Sequence, residues 1–316
     1  MMANTNLQSI DPRILKRNPE NPRLIFRADD LQHLEDSIKA RGILVPLTVY
    51  EDSGEFFIMD GERRWRCAIR LALSSVPVIV QPKPDRMQNI MMMFAIHNAR
   101  RDWDPLPTAY KLRDLEEMFQ AQEGRLPTEI ELAELASITR GEVRRLKKLL
   151  ALPSEYREEL MAELEKPRSQ QLLTVDHVLE ATRGAEALAK RGVVDPAGEE
   201  RLRRAVVDKF RNKKLNSTVE PRKLARIARA VERDEISSAL ARQVVEKIVT
   251  IPDYTVDDAF TESAAQADAA HAVEILLDRV TTSLDVYRTA ATQISPELKE
   301  RLLAIRTLID ELLRER

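Results

Sequence analysis

Several scarcities narrow the reading of this chain before any motif is sought. Cys67 is its only cysteine, so no internal disulfide can form and a reducing, cytoplasmic setting is expected. Eight glycines and 16 prolines in 316 residues argue against an all-β protein, and aromatics make up only 4%. Neither sign of charge dominates: 50 Lys and Arg stand against 52 Asp and Glu, a net of −2, so any nucleic-acid surface must be local. No apolar run approaches the roughly 18 residues of a membrane span, and residues 1–10 lack the basic and apolar regions of a leader peptide. No membrane partner is expected. G-x-x-x-x-G-K-[ST] and G-x-S-x-G are both missing, and His33, His97, His177 and His271 are scattered, with no H-E-x-x-H. P-loop, nucleophile-elbow and zinc chemistry are therefore not expected, and no catalytic residue is nominated.

What is present is most informative at Gly61-Glu62-Arg63-Arg64-Trp65-Arg66. The stretch follows a strand pattern, Phe56-Phe57-Ile58-Met59, and opens an amphipathic helix predicted to run to about Leu73. A glycine turn at a helix start presents backbone N–H groups and the positive end of the helix dipole, which together accept phosphate. Arg63, Arg64 and Arg66 in the first turn oppose that dipole, so helix stability does not explain them. An anion held between the N–H groups and the guanidinium forks does. A solvated, charged first turn is the other reading.

Around this stretch, residues 13–82 read as α/β. Asn18-Pro19-Glu20-Asn21-Pro22 is turn chemistry, and Asp29 or Asp30 caps a helix that carries Leu31, Leu34 and Ile38 and ends at Gly42. Strands are predicted over 44–50 and 55–59, joined through Asp52-Ser53-Gly54, and over 76–80. A helix follows from about Asp85 with Met87, Met91, Phe94 and Ile96 on its face, the run Met91-Met92-Met93 serving as adaptable core filler.

From Pro105 onward only helices are predicted, one over 108–122 and another starting at Pro127-Thr128 with Leu132 and Ala133 within it. A break at Ser137-Ile138-Thr139 leads into 140–150, which makes residues 128–150 a helix-turn-helix candidate. Thr139 would cap the second helix, with Val143, Leu146 and Leu150 facing inward. Arg140, Arg144, Arg145, Lys147 and Lys148 would face outward, as major-groove reading and phosphate clamping require. A helical hairpin with a solvated basic face is the alternative.

Eleven Lys and Arg fall within residues 201–229 against Asp208 and Glu220, a local net of +9, while residues 253–278 hold seven acids and no Lys or Arg. The basic stretch is either a phosphate-binding surface or a face paired with the acidic segment. From about Ala264 the chain reads as helical, and Leu298, Leu302, Ile305, Ile309 and Leu312 form an a/d seam that starts cleanly at Ser295-Pro296. That seam suits a hairpin pairing with a second copy, or one folded back on its own chain.

These pieces, in this order, resemble the ParB family of DNA-partition proteins over residues 13–152. The match is carried by Asn21-Pro22-Arg23 with Phe26, by Ser37-Ile38 and Gly42-Ile43-Leu44-Val45-Pro46-Leu47, by Gly61-Glu62-Arg63-Arg64-Trp65-Arg66-Cys67-Ala68, and by 136–153 ending Leu149-Leu150-Ala151-Leu152-Pro153. Val45 stands where the family often has Gln. The resemblance implies an α+β chain. A ParB/sulfiredoxin-like nucleotide-binding domain (13–104) would be followed by a helical DNA-binding domain (105–250) and a helical dimerisation region (264–316).

The resemblance further implies a CTP site in which Gly42 and Pro46 line the base, Gly61, Glu62, Arg63 and Arg64 hold the phosphates, and Asn98 and Arg101 complete the set. Asn98 would be the Mg²⁺ ligand retained from the family's "EN.QR" box, whose glutamate is replaced here by His97. Imidazole is a poor Mg²⁺ ligand, so weak or absent CTP hydrolysis is expected. Thr139, Arg140, Arg144, Arg145, Lys147 and Lys148 would meet double-stranded DNA. The implied protein is a homodimeric, CTP-dependent clamp, nucleoid- or plasmid-associated, with a ParA-type ATPase as partner. A helix-turn-helix regulator without partition activity, and a nuclease or kinase on the same N-terminal fold, are the competing readings. Sulfiredoxin-type thiol chemistry is not expected, because Cys67 lies a helical turn beyond the Gly61-Glu62-Arg63-Arg64 turn.

Overall fold

The alternation read around residues 47–60 becomes a tight hairpin in the computed structural model, which describes residues 6–26, 28–98, 104–215, 217–289 and 293–314. Strands β3 (Leu47–Asp52) and β4 (Glu55–Asp60) pair antiparallel. Ser53 and Gly54 both take positive φ (54° and 82°), as a two-residue turn matching the strand twist requires. With β1 (Asn6–Ile10), β2 (Leu15–Arg17) and β5 (Val76–Gln81) they form a mixed sheet in the order β1-β5-β3-β4-β2. β1 runs antiparallel to β5, while β3 and β5, and β2 and β4, run parallel.

Both faces of this sheet are covered, so neighbouring residues are buried in opposite directions. Leu47, Val49 and Ile58 pack with Ala68 of helix α2 (Glu62–Arg70) on one side. Tyr50 and Met59 pack with Met93 of α3 (Arg86–Asn98) on the other. Helix α1 (Ala28–Arg41) lays Leu31 and Ile38 against Cys67.

The chain is α+β, and among the described residues only helices and loops follow α3: α4 (Pro105–Glu123), α5 (Glu129–Leu135), α6 (Arg140–Leu150), α7 (Ser154–Glu165), α8 (Val175–Ala189), α9 (Pro196–Arg211), α10 (Arg222–Glu232), α11 (Ser238–Thr250), α12 (Val256–Ser263), α13 (Ala265–Thr289) and α14 (Pro296–Arg314). The contacts divide into two units, Met1–Thr182 with Val207–Thr218, and Arg183–Val206 with Val219–Arg316. Among the described residues, no helix is long and apolar enough to cross a membrane.

Several expectations are corrected. Helix α2 stops at Arg70 rather than near Leu73, because Ala72 turns to φ 50° and the Leu73 N–H closes back on the Ala68 carbonyl at 3.0 Å. Leu44 and Val45 are not in a strand; they stand 74% and 62% exposed, and Arg64 takes the Val45 and Pro46 carbonyls. α1 already begins at Ala28, so neither Asp29 nor Asp30 is its cap, whereas Gly42 ends it as expected, at φ 72°. The buried face of α3 is Asn89, Ile90, Met93 and Phe94 rather than one through Met87 and Met91, because a reciprocal amide pair between Asn89 and Asn18 sets the helix rotation. In α6, Leu149 is fully buried with Val143 and Leu146, and Leu150 only partly.

Of the basic stretch, Lys223 and Arg226 pair with Asp257 and Asp268 of the acidic segment, while Arg203 and Arg211 pair with acids elsewhere. In α13 and α14 no residue is buried, and Ile305, Ile309 and Leu312 stand 46%, 40% and 60% exposed. Ser295 caps α14, accepting the Leu298 N–H at 3.2 Å.

Candidate functional site

β4 ends at Asp60 and the chain turns through Gly61 directly into α2. Gly61 holds φ 98°, ψ 18°, a left-handed conformation that side chains resist. A Cβ here would lie 2.9 Å from Leu47 Cγ and 3.0 Å from Arg64 Nη2. Leu47 is fully buried and cannot yield. Glycine is therefore required for both conformation and space.

No side chain caps α2, whose first bond runs from the Trp65 N–H to the Gly61 carbonyl at 2.9 Å. The N–H groups of residues 62–64 accordingly have no acceptor within the helix. These residues, with Asn21, Arg23 and Phe26 among others, line a cavity of about 200 Å³.

The arginines divide the work. Arg64 Nη1 donates to the Pro46 carbonyl at 2.8 Å and to that of Val45, and its Nη2 donates to Asp60 at 2.9 Å. One guanidinium thus ties the 44–46 loop to the end of β4. Arg66 binds Glu62 at 2.7 Å and lies over the Phe26 ring, 4.1 Å from its centroid. Glu62 is buried and also accepts from Asn21 Nδ2 at 2.7 Å, with Arg17 Nε at 3.3 Å. Its carboxylate is occupied by the protein and fixes the turn, and Arg63 and Arg64 line the cavity beside it. Trp65 is anchored beside them, its indole N–H donating to the Pro12 carbonyl at 2.7 Å.

Gly42 and Pro46 bound the exposed loop but are not among the residues lining the cavity; Pro46 reaches it through Arg64. The side chains of His97 and Asn98, and the whole of Arg101, lie outside the described residues. Asn21, Arg23, Phe26 and Asp60 join the site; the first three were legible as part of a sequence box, and Asp60 had no signal beyond following a strand. Both described carboxylates at the cavity, Asp60 and Glu62, are engaged by arginine, and no described group of His, Cys, Asp or Glu could hold a metal ion. The described residues have the chemistry that suits a phosphate-bearing ligand. Cys67 is fully buried, and burial raises its thiol pKa, which disfavours a nucleophilic thiolate.

The α5–α6 pair is built by two capping boxes. Thr128 and Glu131 exchange hydrogen bonds at the start of α5, and Thr139 and Glu142 do so at the start of α6. Arg125 and then Thr128 hold the Glu131 carboxyl down to about 2. Ser137 turns at φ 51° between the helices. On α6, Arg144 pairs with Glu129 at 2.7 Å, Arg145 with Asp176 at 2.7 Å and Lys147 with Glu116 at 2.6 Å. Arg140 and Lys148 are exposed and make no ion pair with any described residue. The Thr139 side chain is taken up by its own helix cap.

Comparison with known proteins gives a consistent family. Residues 1–97 match the model of the ParB N-terminal domain. The chromosome-partitioning protein ParB of Caulobacter vibrioides is 35% identical over 153 residues, 47% of this chain and 48% of that protein. The chromosome-partitioning protein Spo0J of Thermus thermophilus is 32% identical over 146 residues, 46% of this chain and 51% of that protein. The chain thus spans about half the length of the curated relatives it matches. A crystal structure of the C-terminally truncated ParB from Caulobacter crescentus complexed with CTP-gamma-S is 31% identical, covering 50% of this chain and 85% of that one at a TM-score of 0.28.

Proposed function

The chain belongs to the ParB family, and on that premise we propose that it is a DNA-partition protein: a homodimeric clamp that binds CTP at the Gly61 turn and double-stranded DNA through α5 and α6. The observation that carries the reading is the uncapped α2 start, with Arg63 and Arg64 around a cavity of about 200 Å³. That arrangement has the chemistry of a polyphosphate cradle. Arg140 and Lys148 are the exposed cations of α6 that make no ion pair with any described residue, and Arg144, Arg145 and Lys147 reach phosphate by exchanging their carboxylate partners for it. Two such units related by a two-fold axis read a palindromic site. The exposed apolar faces of α13 and α14 supply the contact between copies.

Nucleotide acts by binding the closed clamp better than the open one. Asn98 and Arg101 complete the nucleotide set, and His97 in place of glutamate makes hydrolysis weak or absent, with Mg²⁺ poorly held. The protein works in the cytoplasm on nucleoid or plasmid DNA, with a ParA-type ATPase as partner.

Calorimetry with CTP, ATP, GTP and UTP, with and without Mg²⁺, tests the reading. Selective CTP binding that is strongly weakened in Arg64→Ala supports it. No binding, with or without DNA, overturns the clamp in favour of a simple helix-turn-helix regulator.

A further inference from the structure

The loop between β2 and α1 carries one side chain into the phosphate turn and its neighbour away from it. Asn21 donates to Glu62 at the start of α2 at 2.7 Å. Glu20, one residue earlier, is only 8% exposed and faces the helices instead. Its carboxylate accepts from Arg86 Nε of α3 at 2.8 Å and from Lys111 Nζ of α4 at 2.8 Å. Asn18 locks the same loop to α3 through its amide pair with Asn89, and its Oδ1 accepts the Glu20 N–H at 3.0 Å. Burial alone would raise the Glu20 pKa; Lys111 and Arg86 outweigh it and hold the group ionised.

Five residues beyond Lys111 on α4, Glu116 accepts from Lys147 of α6 at 2.6 Å. Leu112 and Leu115, between those two positions, are buried, so α4 transmits displacement as a packed rod. The Gly61 turn and the basic helix are therefore joined by Glu62, Asn21, Glu20, Lys111, Glu116 and Lys147, all within one compact unit.

We propose that Glu20 is a positioning latch, which fixes α4 to the nucleotide-site loop so that occupancy of the Gly61 turn is felt at α6. An ion triad with Glu20 and Lys111 largely buried and Arg86 exposed contributes little net stability compared with apolar packing. What it supplies is a defined geometry between elements far apart in sequence, and a coupling of this kind acts equally in both directions. The proposal rests on the reading of the cavity as a nucleotide site.

Hydrogen exchange on the full chain separates the two claims. Without nucleotide, Glu20→Gln is expected to raise exchange in the first half of α4 about tenfold and to leave β3 and β4 unchanged. Lys111→Met should do the same, and the double variant should add nothing. Unchanged α4 exchange in both variants overturns the latch. With saturating CTP, the wild type should change its exchange at α6, and Glu20→Gln should lose that response while keeping CTP affinity within about twofold. An α6 response as large in Glu20→Gln as in the wild type also overturns it. If the wild type binds no CTP, it is the nucleotide reading that fails, and the first measurement decides the latch by itself.

Discussion

The starts of α2 and α6 solve the same problem in opposite ways. At α6 the chain supplies its own cap: Thr139 accepts the Glu142 N–H at 3.2 Å, and Glu142 brings a carboxylate to the positive end of the dipole. α5 and α12 begin in the same manner. At α2 the corresponding residue is a left-handed glycine with no side chain to offer, and the cavity beside it is edged by Arg63 and Arg64. A helix end that carries its own acceptor is finished. One that lacks it, with arginines close by, is where the proposed ligand would supply the acceptor.

The contrast can be broken first at Gly61. Gly61→Ala forces a Cβ against buried Leu47 in a strained conformation, so stability in urea should fall by about 2 kcal/mol or more and CTP binding should vanish. Arg64→Ala should leave the sheet folded but weaken CTP roughly thirtyfold in calorimetry, corresponding to about 2 kcal/mol for a charge-assisted hydrogen bond. Thr139→Ala sharpens the comparison from the other side: loss of a cap should cost about 1 kcal/mol in denaturant melts while CTP affinity stays unchanged.

The smallest effect is expected at α8. It starts with a cap of the same form in which an imidazole replaces the carboxylate: the Thr174 N–H donates to His177 Nδ1 at 3.1 Å. Burial lowers the His177 pKa from its usual 6.5, against a lesser opposing effect of Asp176. The folded state therefore prefers the neutral ring. Its contribution is complete above the unfolded value and declines as pH falls below 6.5 towards the lower folded value. Melting curves from pH 8 to 5 should show this decline in the wild type and lose it in His177→Gln; equal slopes would remove His177 from the cap.

What was legible in the sequence was what is local. The Gly61 turn, the Ser53-Gly54 hairpin and the Thr139 cap each depend on residues within a few positions, and each formed as read. β1 and β2 were missed, because five and three residues carry no usable period and their pairing is set by β5 and β4 far along the chain. The strand reading of Leu44 and Val45 failed for a related reason: Arg64, 19 residues from Val45, draws that carbonyl out of any ladder. Glu20 looked like turn chemistry, since its partners lie 66 and 91 residues away.

The anchoring of Trp65 has a practical consequence. The chain has only two tryptophans, and this one is partly buried within one turn of Gly61, with its indole N–H tied to Pro12 and the Arg66 guanidinium 5.9 Å from its ring. Indole emission responds to nearby charge and to the loss of a hydrogen bond. With Trp103→Phe removing the second emitter, intrinsic fluorescence becomes a label-free signal from the Gly61 turn itself. It can be followed on the millisecond scale as ligand enters, with no dye attached to the surfaces under study.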